Sequence, residues 1–449
     1  MKPSRLVLAV ILALGLTFAL LCALRDSPGF ALADAGRAPV PPSLARQHEP
    51  VVITGGLLSD LIDCPLHDIF VYAYQDTDLA QVPFQIDERD GSGTYVAVED
   101  GHLDDNDELV FMAKDGGGRV DYPSLDVGGT ALTPTNVITL TDPLSHTHAW
   151  AYVFRSSDLT YSVAADYVSY DYGNDRVTSP GRYSFGFSTT HGFRNYLTLG
   201  DSSPNLLDRD KLRLAGTVSV PPLPPIPVSA DEEDVAKRGV HAIDGPVRVT
   251  RVSTGALEFQ TMGTLVTGTT ILFAYPSLAV QFTPIEIPGG IIQITYHCAS
   301  MDWNERAMGM VYYDANNPDG MAVDGITDTI VTTPPTRWTL VTGITGTMVS
   351  VSQIPAGLGG TQSTYHRDDS RPDAGDTGDH CSYGEAGLQV DNPNPGVYTM
   401  LGQTYFLTEA TSNVGHTYVD YYDYPIQVSV APFTPPKQYI YLPLVFKNH

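Results

Sequence analysis

The side chains with the clearest capacity for chemistry are the acidic ones around residue 100. Asp100, Asp104, Asn106 and Glu108 alternate along the segment EDGHLDDNDEL, residues 99–109. Ca²⁺ takes about six to eight oxygen ligands from carboxylates, amides and backbone carbonyls, so this set predicts a calcium site. The full spaced pattern of an EF-hand is missing. The alternative is an acidic hairpin turn whose Asp and Asn side chains cap backbone groups. A second acidic turn, DANNPDG at 314–320, has the same two interpretations.

Two His-Cys steps, His297-Cys298 and His380-Cys381, raise the question of zinc. Adjacent side chains on a strand point to opposite faces, so one dipeptide cannot easily give both ligands to one ion. In an oxidising compartment we instead expect one disulfide, Cys298–Cys381, with Cys64–Cys381 as the alternative pairing.

Glycoside hydrolysis needs two carboxylates across a cleft. Asp302 and Glu305 are the most suggestive pair, and Trp303 lies between them as a ring on which a sugar could stack. A lyase would need a Tyr or His base beside a group that neutralises a carboxylate. Tyr365 is a candidate for that base and for ligand binding, as are Tyr296 and His297 as bases.

Several classes of protein are excluded or disfavoured. The sequence contains no G-x-S-x-G, no H-E-x-x-H and no phosphate-binding G-x-x-x-x-G-K-[ST] motif, so we expect no cofactor other than calcium. The formal net charge of −26 disfavours nucleic acid, whose phosphates need Lys and Arg. The composition therefore favours cations and neutral polymers as partners.

The N-terminus has the pattern of a secretory signal. A basic start with Lys2 and Arg5 precedes an apolar run over 6–24, and small-x-small triplets suitable for cleavage end at Ala33 and Ala35. An uncleaved membrane anchor is the alternative, because about 20 apolar residues span a bilayer. We predict a signal peptide over 1–33, a secreted or surface-retained mature protein, and no membrane span after cleavage.

The elements that must position these side chains are predicted to be strands. Gly, Pro and Tyr are abundant, charged residues make up 17%, and short β-branched and aromatic runs recur between polar turns. The expected fold is all-β, mainly an antiparallel β-sandwich, with no convincing amphipathic helix of 12 residues or more. The best short helical candidates are 59–62 and 204–211.

The predicted organisation after the signal is listed in chain order: a linker over 34–50, a small N-terminal β-domain over 51–165, a larger β-sandwich over 166–432, and a C-terminal tail over 433–449. The larger domain is predicted to carry long loops at 216–245 and 354–397, the first containing VPPLPPIP and the second rich in Gly and Asp. The tail has a proline hinge before YIYLPLVF. This apolar strand serves equally well as a last strand on a sheet or as an attachment tag.

Three stretches resemble known proteins. The pair VPFQIDE, 82–88, and DDNDELVFMA, 104–113, resembles the opening module of uncharacterised secreted bacterial β-sandwich proteins. The segment DGPVRV, 244–249, is similar to a strand of β-sandwich proteins that handle polysaccharides, and the YLPLVFK ending resembles a C-terminal signature of exported bacterial proteins. These resemblances imply an exported β-sandwich and carry no catalytic residues with them.

The leading hypothesis is a secreted or cell-surface, non-catalytic protein that binds a polysaccharide or another envelope component, with structural calcium. The first alternative is a carbohydrate-active enzyme, a lyase or a glycosidase, on the same scaffold. The second is a structural envelope protein. A cleft with paired acids would favour the enzyme, and a flat face rich in Tyr would favour the binder.

Overall fold

The structure is a computed structural model that describes residues 44–434, except 122, 128 and 260–262. The prediction of a mainly antiparallel all-β fold is confirmed. The predicted signal peptide and the YIYLPLVF segment lie outside the described residues, and the boundary between the two β-domains stays a prediction.

The first part of the chain forms two small sheets. Their strands are β1 Pro50–Thr54, β2 Ile69–Gln75, β3 Asp78–Gln81, β4 Phe84–Arg89, β5 Tyr95–Val96, β6 Glu108–Met112, β7 Leu125–Val127, β8 Thr130–Leu132, β9 Asn136–Thr141 and β10 His148–Arg155. One sheet has the order β1-β6-β4-β5, and the other runs β9-β10-β2-β3, while β7 and β8 pair with each other. Apolar residues of both sheets, such as Ile53, Phe111 and Phe154, form one buried core.

A four-stranded meander follows. Its strands are β11 Ser169–Asp171, β12 Arg176–Ser179, β13 Tyr183–Phe187 and β14 Arg194–Leu199. The strands pair in chain order because tight turns connect them.

The remaining strands build two large sheets. They are β15 Leu207–Val218, β16 Ile226–Asp231, β17 Val235–Asp244, β18 Val249–Phe259, β19 Gly263–Ala274, β20 Leu278–Ile287, β21 Ile292–Trp303, β22 Val311–Asp314, β23 Met321–Ala322, β24 Trp338–Gly343, β25 Gly346–Gln353, β26 Thr361–Asp369, β27 Ser382–Asp391 and β28 Gly396–Leu407. Helix α1, Gly415–Asp423, and strand β29, Gln427–Pro432, come last. Short 3₁₀ turns lie at Gly55–Leu57, Ser59–Leu61, Leu66–Asp68, Ala113–Asp115, Glu232–Asp234 and Glu305–Ala307.

The nine-stranded sheet has the order β17-β18-β19-β20-β28-β25-β24-β22-β23, and the five-stranded sheet has the order β16-β15-β21-β27-β26. Trp303 and Tyr383 of the five-stranded sheet share a buried core with Val341 and Phe406 of the nine-stranded sheet. We call the sides that meet in this core the inner faces. The opposite side of the five-stranded sheet is its outer face.

The C-terminal segment returns to the N-terminal sheets. Strand β29 pairs with β9, and Ile426 is part of the first core. Arg46 is 3% exposed and donates to Asp142 Oδ1 at 3.1 Å and to the carbonyl of Tyr424 at 2.6 Å. The predicted linker over 34–50 is therefore wrong for its last residues, because buried charge pairs hold 46–49 in place.

Both predicted long loops are wrong. The range 216–245 contains β16 and β17, and 354–397 contains β26 and β27. The outer face of the five-stranded sheet is polar, so β16, β26 and β27 lack the apolar alternation by which a strand is recognised. Strand β17 is the edge strand of the nine-stranded sheet, and nearly all of its side chains are exposed or half-buried, so it lacks this alternation too. The helical candidate 204–211 is wrong for the same reason, since most of it lies in β15.

Candidate functional site

The outer face of the five-stranded sheet collects polar side chains from four neighbouring strands. The strand register places Lys211 opposite Ser300, Ser300 opposite Gly387, and Gly387 opposite Tyr365. Because side chains alternate between faces, residues two positions away share this side. The polar side chains of this face are Lys211 and Arg213 of β15, Tyr296, Cys298, Ser300 and Asp302 of β21, Glu385 and Gln389 of β27, and Ser363, Tyr365 and Arg367 of β26.

One end of this face holds a buried ion network. Lys211 Nζ lies 2.6 Å from Asp302 Oδ2 and 3.0 Å from Asp376 Oδ2, and all three side chains are almost fully buried. Asp376 comes from the segment 370–381, which crosses the face at this end. Arg213 places Nη2 2.9 Å from Asp376 Oδ1 and Nη1 2.5 Å from Glu385 Oε1, which links the acids of the segment and the sheet.

Three carboxyl groups, those of Asp302, Asp376 and Glu385, meet the cations Lys211 and Arg213, and Arg367 lies 3.7 Å from Asp376 as a third cation. Burial raises the pKa of Asp302 well above its usual range, and the charge of Glu385 raises it further. Burial alone would lower the pKa of Lys211, but the charges of Asp302 and Glu385 raise it. Asp302 is therefore the acid of this network that most readily takes up a proton.

The carboxylates of Asp302, Asp376 and Glu385 lie within 4.8 Å of one another, a spacing that could hold a metal ion. The ammonium group of Lys211 already supplies the positive charge between two of these acids. A divalent cation would have to displace a buried lysine whose charge these same acids stabilise. The donor set therefore fits an internal ion pair better than a metal centre.

Two half-buried tyrosines, Tyr296 and Tyr365, lie on the same face beside this network. The guanidinium carbon of Arg213 lies 5.5 Å from the ring centre of Tyr365. Tyr296 makes a hydrogen bond with Cys298, and burial raises the pKa of the Cys298 thiol to about 11. At neutral pH this thiol is protonated, so it is not poised as a nucleophile.

The predicted catalytic pair is not brought to one site. Asp302 belongs to the ion network, whereas Glu305 is exposed on the 3₁₀ turn that follows β21. Trp303 is 1% exposed within the core on the inner face, so it cannot stack on a sugar as predicted. The residues 302 and 303 separate because successive strand side chains point to opposite faces. Of the two predicted ligand-binding residues, only Tyr365 lies on the outer face.

Three of the four predicted calcium ligands, Asp100, Asn106 and Glu108, have side chains that bond to different partners. Glu108 Oε1 accepts from Tyr95 and Glu108 Oε2 accepts from Arg248 at 2.5 Å. Asp100 Oδ1 accepts from the backbone N–H of His102, and Asn106 Nδ2 donates to the carbonyl of Asp90. The backbone N–H of Asp104 donates to Asp107. Glu108 thus points into the protein, away from the remaining three, and calcium at this turn stays a prediction.

The two motifs at 82–113 and 244–249 meet in one buried network. Gln85 Oε1 accepts from the backbone N–H groups of Val247 and Arg248 at 2.9 and 2.8 Å. Arg248 then donates to Asp87 and to Glu108. These motifs therefore join the N-terminal sheets to the nine-stranded sheet, a structural role that accounts for their polar residues.

The predicted disulfide is wrong in both pairings, because Cys64, Cys298 and Cys381 are all free thiols. Cys298 lies opposite Gln389, whereas Cys381 precedes Tyr383, which lies opposite Trp303. This register separates the two sulfurs by at least five strand residues, roughly 17 Å. Cys64 is buried in the first core, remote in the chain from both.

Lys211, Arg213, Asp376 and Glu385 were not predicted as site residues. The alternation in β15, where Arg209, Lys211 and Arg213 are two positions apart, was the available signal. Asp376 and Glu385 lie more than 160 residues further along the chain than the cations with which they pair. No local pattern could have identified the partners.

The sequence matches no family model, and the search of curated proteins finds no match. Among solved structures, an alpha-mannosidase from Enterococcus faecalis V583 has 10% identity and a TM-score of 0.45, covering 88% of this chain and 45% of that one. An alpha-N-acetylgalactosaminidase from Bifidobacterium bifidum, solved with GalNAc, has 11% identity and a TM-score of 0.36, covering 55% and 38%. A beta-arabinopyranosidase has 9% identity and a TM-score of 0.27, covering 54% and 40%.

The chain thus spans less than half the length of each of these three solved structures. At such low TM-scores these likenesses carry no argument about activity. Within the described residues, no helix is long and apolar enough to cross a membrane.

Proposed function

We propose that this protein is an exported, non-catalytic carbohydrate-binding protein whose polysaccharide ligand lies on the outer face of the five-stranded sheet. The observation that carries the proposal is the half-buried pair Tyr296 and Tyr365, which stands on rigid strands beside Gln389 and Ser363. Tyrosine rings offer an apolar surface for the C–H face of a sugar and a hydroxyl for its polar rim.

The buried ion network supports this face as a rigid platform. Arg213 is fixed by Glu385 and Asp376, and its guanidinium lies beside the ring of Tyr365. A ring that is already immobilised loses little side-chain entropy when a ligand binds. Because Arg213 and Arg367 are both committed to carboxylates, the platform favours a neutral polysaccharide over an anionic one.

The export part of the proposal rests on the basic, apolar and small-residue pattern of residues 1–33. The YIYLPLVF segment near the C-terminus would retain the protein at the cell surface, where envelope polysaccharides are available. Structural Ca²⁺ at the turn 100–106 completes the proposal, because exported modules commonly bind calcium weakly.

A glycosidase is the second candidate, and the convergence of Asp302, Asp376 and Glu385 within 4.8 Å is the observation that favours it. Against it, these acids are buried, and they are neutralised by Lys211 and Arg213. A catalytic pair needs to reach a glycosidic bond from an open cleft. The ion network is better suited to a structural role, in which it holds the side chains of the binding face in place.

The test uses residues 34–449 against a panel of soluble neutral and acidic polysaccharides, with affinity electrophoresis for retention and reducing-end detection for product release. We expect retention by a neutral polysaccharide, at least tenfold weaker in Tyr365→Ala, and no product release. Tyr172→Ala is the matched control, because Tyr172 is an exposed tyrosine in the turn between β11 and β12. Product release that Asp302→Asn abolishes would establish the glycosidase instead, and equal retention by both tyrosine variants would exclude the outer face.

A further inference from the structure

A second feature lies between the two large sheets, on the inner face of the nine-stranded sheet. In the central strands, Phe406 and Met348 of the inner face are buried in the core that contains Trp303. Two and four positions away on the same side, β28 and β25 carry Thr404, Gly402, Ser350 and Ser352. The middle of the sandwich interior is therefore lined by hydroxyl groups where apolar side chains would be expected.

This polar stretch lies between two apolar clusters. The core with Phe406 closes one end, and the cluster of Ile287, Ile294 and Val390 closes the other. Between the same two clusters, the inner face of the five-stranded sheet bears Ala299, which is exposed, and Leu388, which is half-buried. A side chain in the middle of two packed sheets is exposed only if the sheets do not close on each other there.

Gly402 supplies direct evidence of the opening. A Cβ atom built on this residue would meet no heavy atom within 4 Å. Gly402 pairs with Gln281 on one side and with Ser352 on the other, so it is a central position of the sheet. At such a position a Cβ should contact the opposite sheet, and open space there indicates an inter-sheet cleft.

Apart from one pair, the side-chain donors and acceptors of this cleft have no partner among the described residues. Gln281 donates to Thr283 at 2.9 Å. The hydroxyl groups of Ser350, Ser352 and Thr404 make no side-chain hydrogen bond with any residue that the structure describes. His366 Nε2, on the opposing sheet, is a buried atom without a hydrogen-bond partner among the described residues. Buried or half-buried polar groups in a native protein normally have partners, so a hydrated or ligand-filled cleft accounts for this set.

We propose that this cleft binds a single neutral sugar unit, at a site separate from the polysaccharide platform on the outer face. Hydroxyl and amide groups line one wall, and Ala299, Leu388 and Met301 give the other wall apolar surface. A sugar ring has the same division between hydroxyl edges and a C–H face. Among the buried charged groups on the inner face of the nine-stranded sheet, Arg251 is paired with Asp175, and the Asp314 carboxylate accepts hydrogen bonds from Tyr312 and Asn317, so both are engaged within the protein.

The test is saturation-transfer NMR with D-glucose, D-galactose, D-mannose and N-acetyl-D-glucosamine on residues 34–449. Gly402→Val should fill the cleft, and β-branched residues favour strands, so the variant should fold at least as well as the wild type. We expect at least one of the four sugars to bind with a Kd of roughly 10 mM or lower, and Gly402→Val to weaken it at least tenfold. Gly239→Val is the matched control, because its added Cβ also meets nothing within 4 Å, on the edge strand β17.

Thr404→Val is the second variant, and it keeps the test valid if Gly402→Val fails to fold. It removes one hydroxyl at nearly constant volume and should weaken sugar binding severalfold. Tyr365→Ala should leave sugar binding unchanged, which separates this site from the polysaccharide platform. Failure of all four sugars to bind, or equal binding by Gly402→Val, Thr404→Val and the wild type, would overturn the proposal. Loss of sugar binding in Tyr365→Ala alone would also overturn it, because the sugar would then lie on the outer face.

Discussion

Arg248 and Asp87, which are 161 residues apart in the chain, form a buried ion pair in which Nε of the arginine lies 2.6 Å from Oδ2 of the aspartate. Arg248 also reaches Glu108, and its side chain is 1% exposed. The pair joins the N-terminal sheets to the nine-stranded sheet, so its loss should affect the whole protein.

Arg248→Ala should lower the free energy of unfolding by about 3–5 kcal/mol, because it leaves the buried carboxylate of Asp87 without its cation and leaves Glu108 with only Arg89, at 3.5 Å. Denaturation in urea measures this loss. Arg337→Ala is the control, since Arg337 forms a comparable pair with Asp423 at the surface, with 39% of its side chain exposed. That control should lose about 1 kcal/mol or less. Equal losses in the two variants would contradict the role assigned to Arg248.

Three histidines predict acid sensitivity. Burial lowers the pKa of His48, His297 and His366 to about 4, from an ordinary value of 6.5. The unfolded chain therefore binds more protons than the folded protein between these two values, and their stabilising contribution, complete above pH 6.5, is lost as the pH falls towards 4.

Each histidine should contribute a loss of up to roughly 3 kcal/mol across this range, at 1.36 kcal/mol per pKa unit. The measurement is the urea midpoint at half-unit steps from pH 7 to pH 4. His366→Gln should reduce the slope of the urea midpoint against pH. His67→Gln should leave this slope unchanged, since the side chain of His67 is 83% exposed. A slope identical in all three proteins would show that His366 accepts its proton without unfolding.

The contribution of Asp208 to stability should depend on pH in the opposite direction to that of the histidines. Burial, followed by the charge of Asp379, raises the pKa of Asp208 to about 6, from 3.8. The folded protein then binds more protons than the unfolded chain in this window, so the contribution of Asp208 is favourable at low pH and is lost as the pH rises through 6.

Asp208→Asn removes this penalty and should stabilise the protein at pH 7 by roughly 1 kcal/mol, with a smaller gain at pH 4. Asp210→Asn serves as the contrast. Asp210 pairs with Arg194 at 2.7 Å, so its neutralisation should not stabilise the protein. A destabilised Asp208→Asn variant would indicate that the carboxylate is ionised and paired in solution.

The three free thiols predict an insensitivity to reducing agents. Dithiothreitol should leave the thermal midpoint unchanged, and mass spectrometry of the denatured protein after alkylation should find Cys64, Cys298 and Cys381 all labelled. In the folded protein Cys381, the least buried of the three, should react with Ellman's reagent well before Cys64 and Cys298. A linked peptide containing Cys298 and Cys381 would show that the register differs from the one described.

Calcium binding at the acidic turn should be weak. Since Glu108 is held by Arg248 and Tyr95, the ion would be left with Asp100, Asp104, Asn106 and backbone carbonyls. We expect the thermal midpoint to rise only at roughly millimolar Ca²⁺, typical of extracellular modules. Asp100→Asn with Asp104→Asn should abolish the rise. If a Ca²⁺ concentration about ten times higher leaves the thermal midpoint of the wild type unchanged, calcium is removed from the proposal.

Local sequence patterns were sufficient to predict the fold class and many of the strands. Strand β13, Tyr183–Phe187, can be recognised from the sequence because its aromatic run lies between turn residues. Strand β27 was missed because its outward residues are Glu385, Gly387 and Gln389, which remove the apolar alternation. Helix α1 was missed because nine residues are too short for a clear helical period.

Composition and periodicity depend on each residue and its near neighbours, so the sequence was enough for an acidic, strand-rich chain with an export pattern at its start. The candidate sites depend on which strands lie side by side. Lys211 meets Asp302 and Asp376 because β15 pairs with β21 and the segment 370–381 crosses the same face. Gly402 borders an open cleft because two sheets remain apart at its position. Strand order, register and sheet spacing come from long-range packing, and only the tertiary structure decides them.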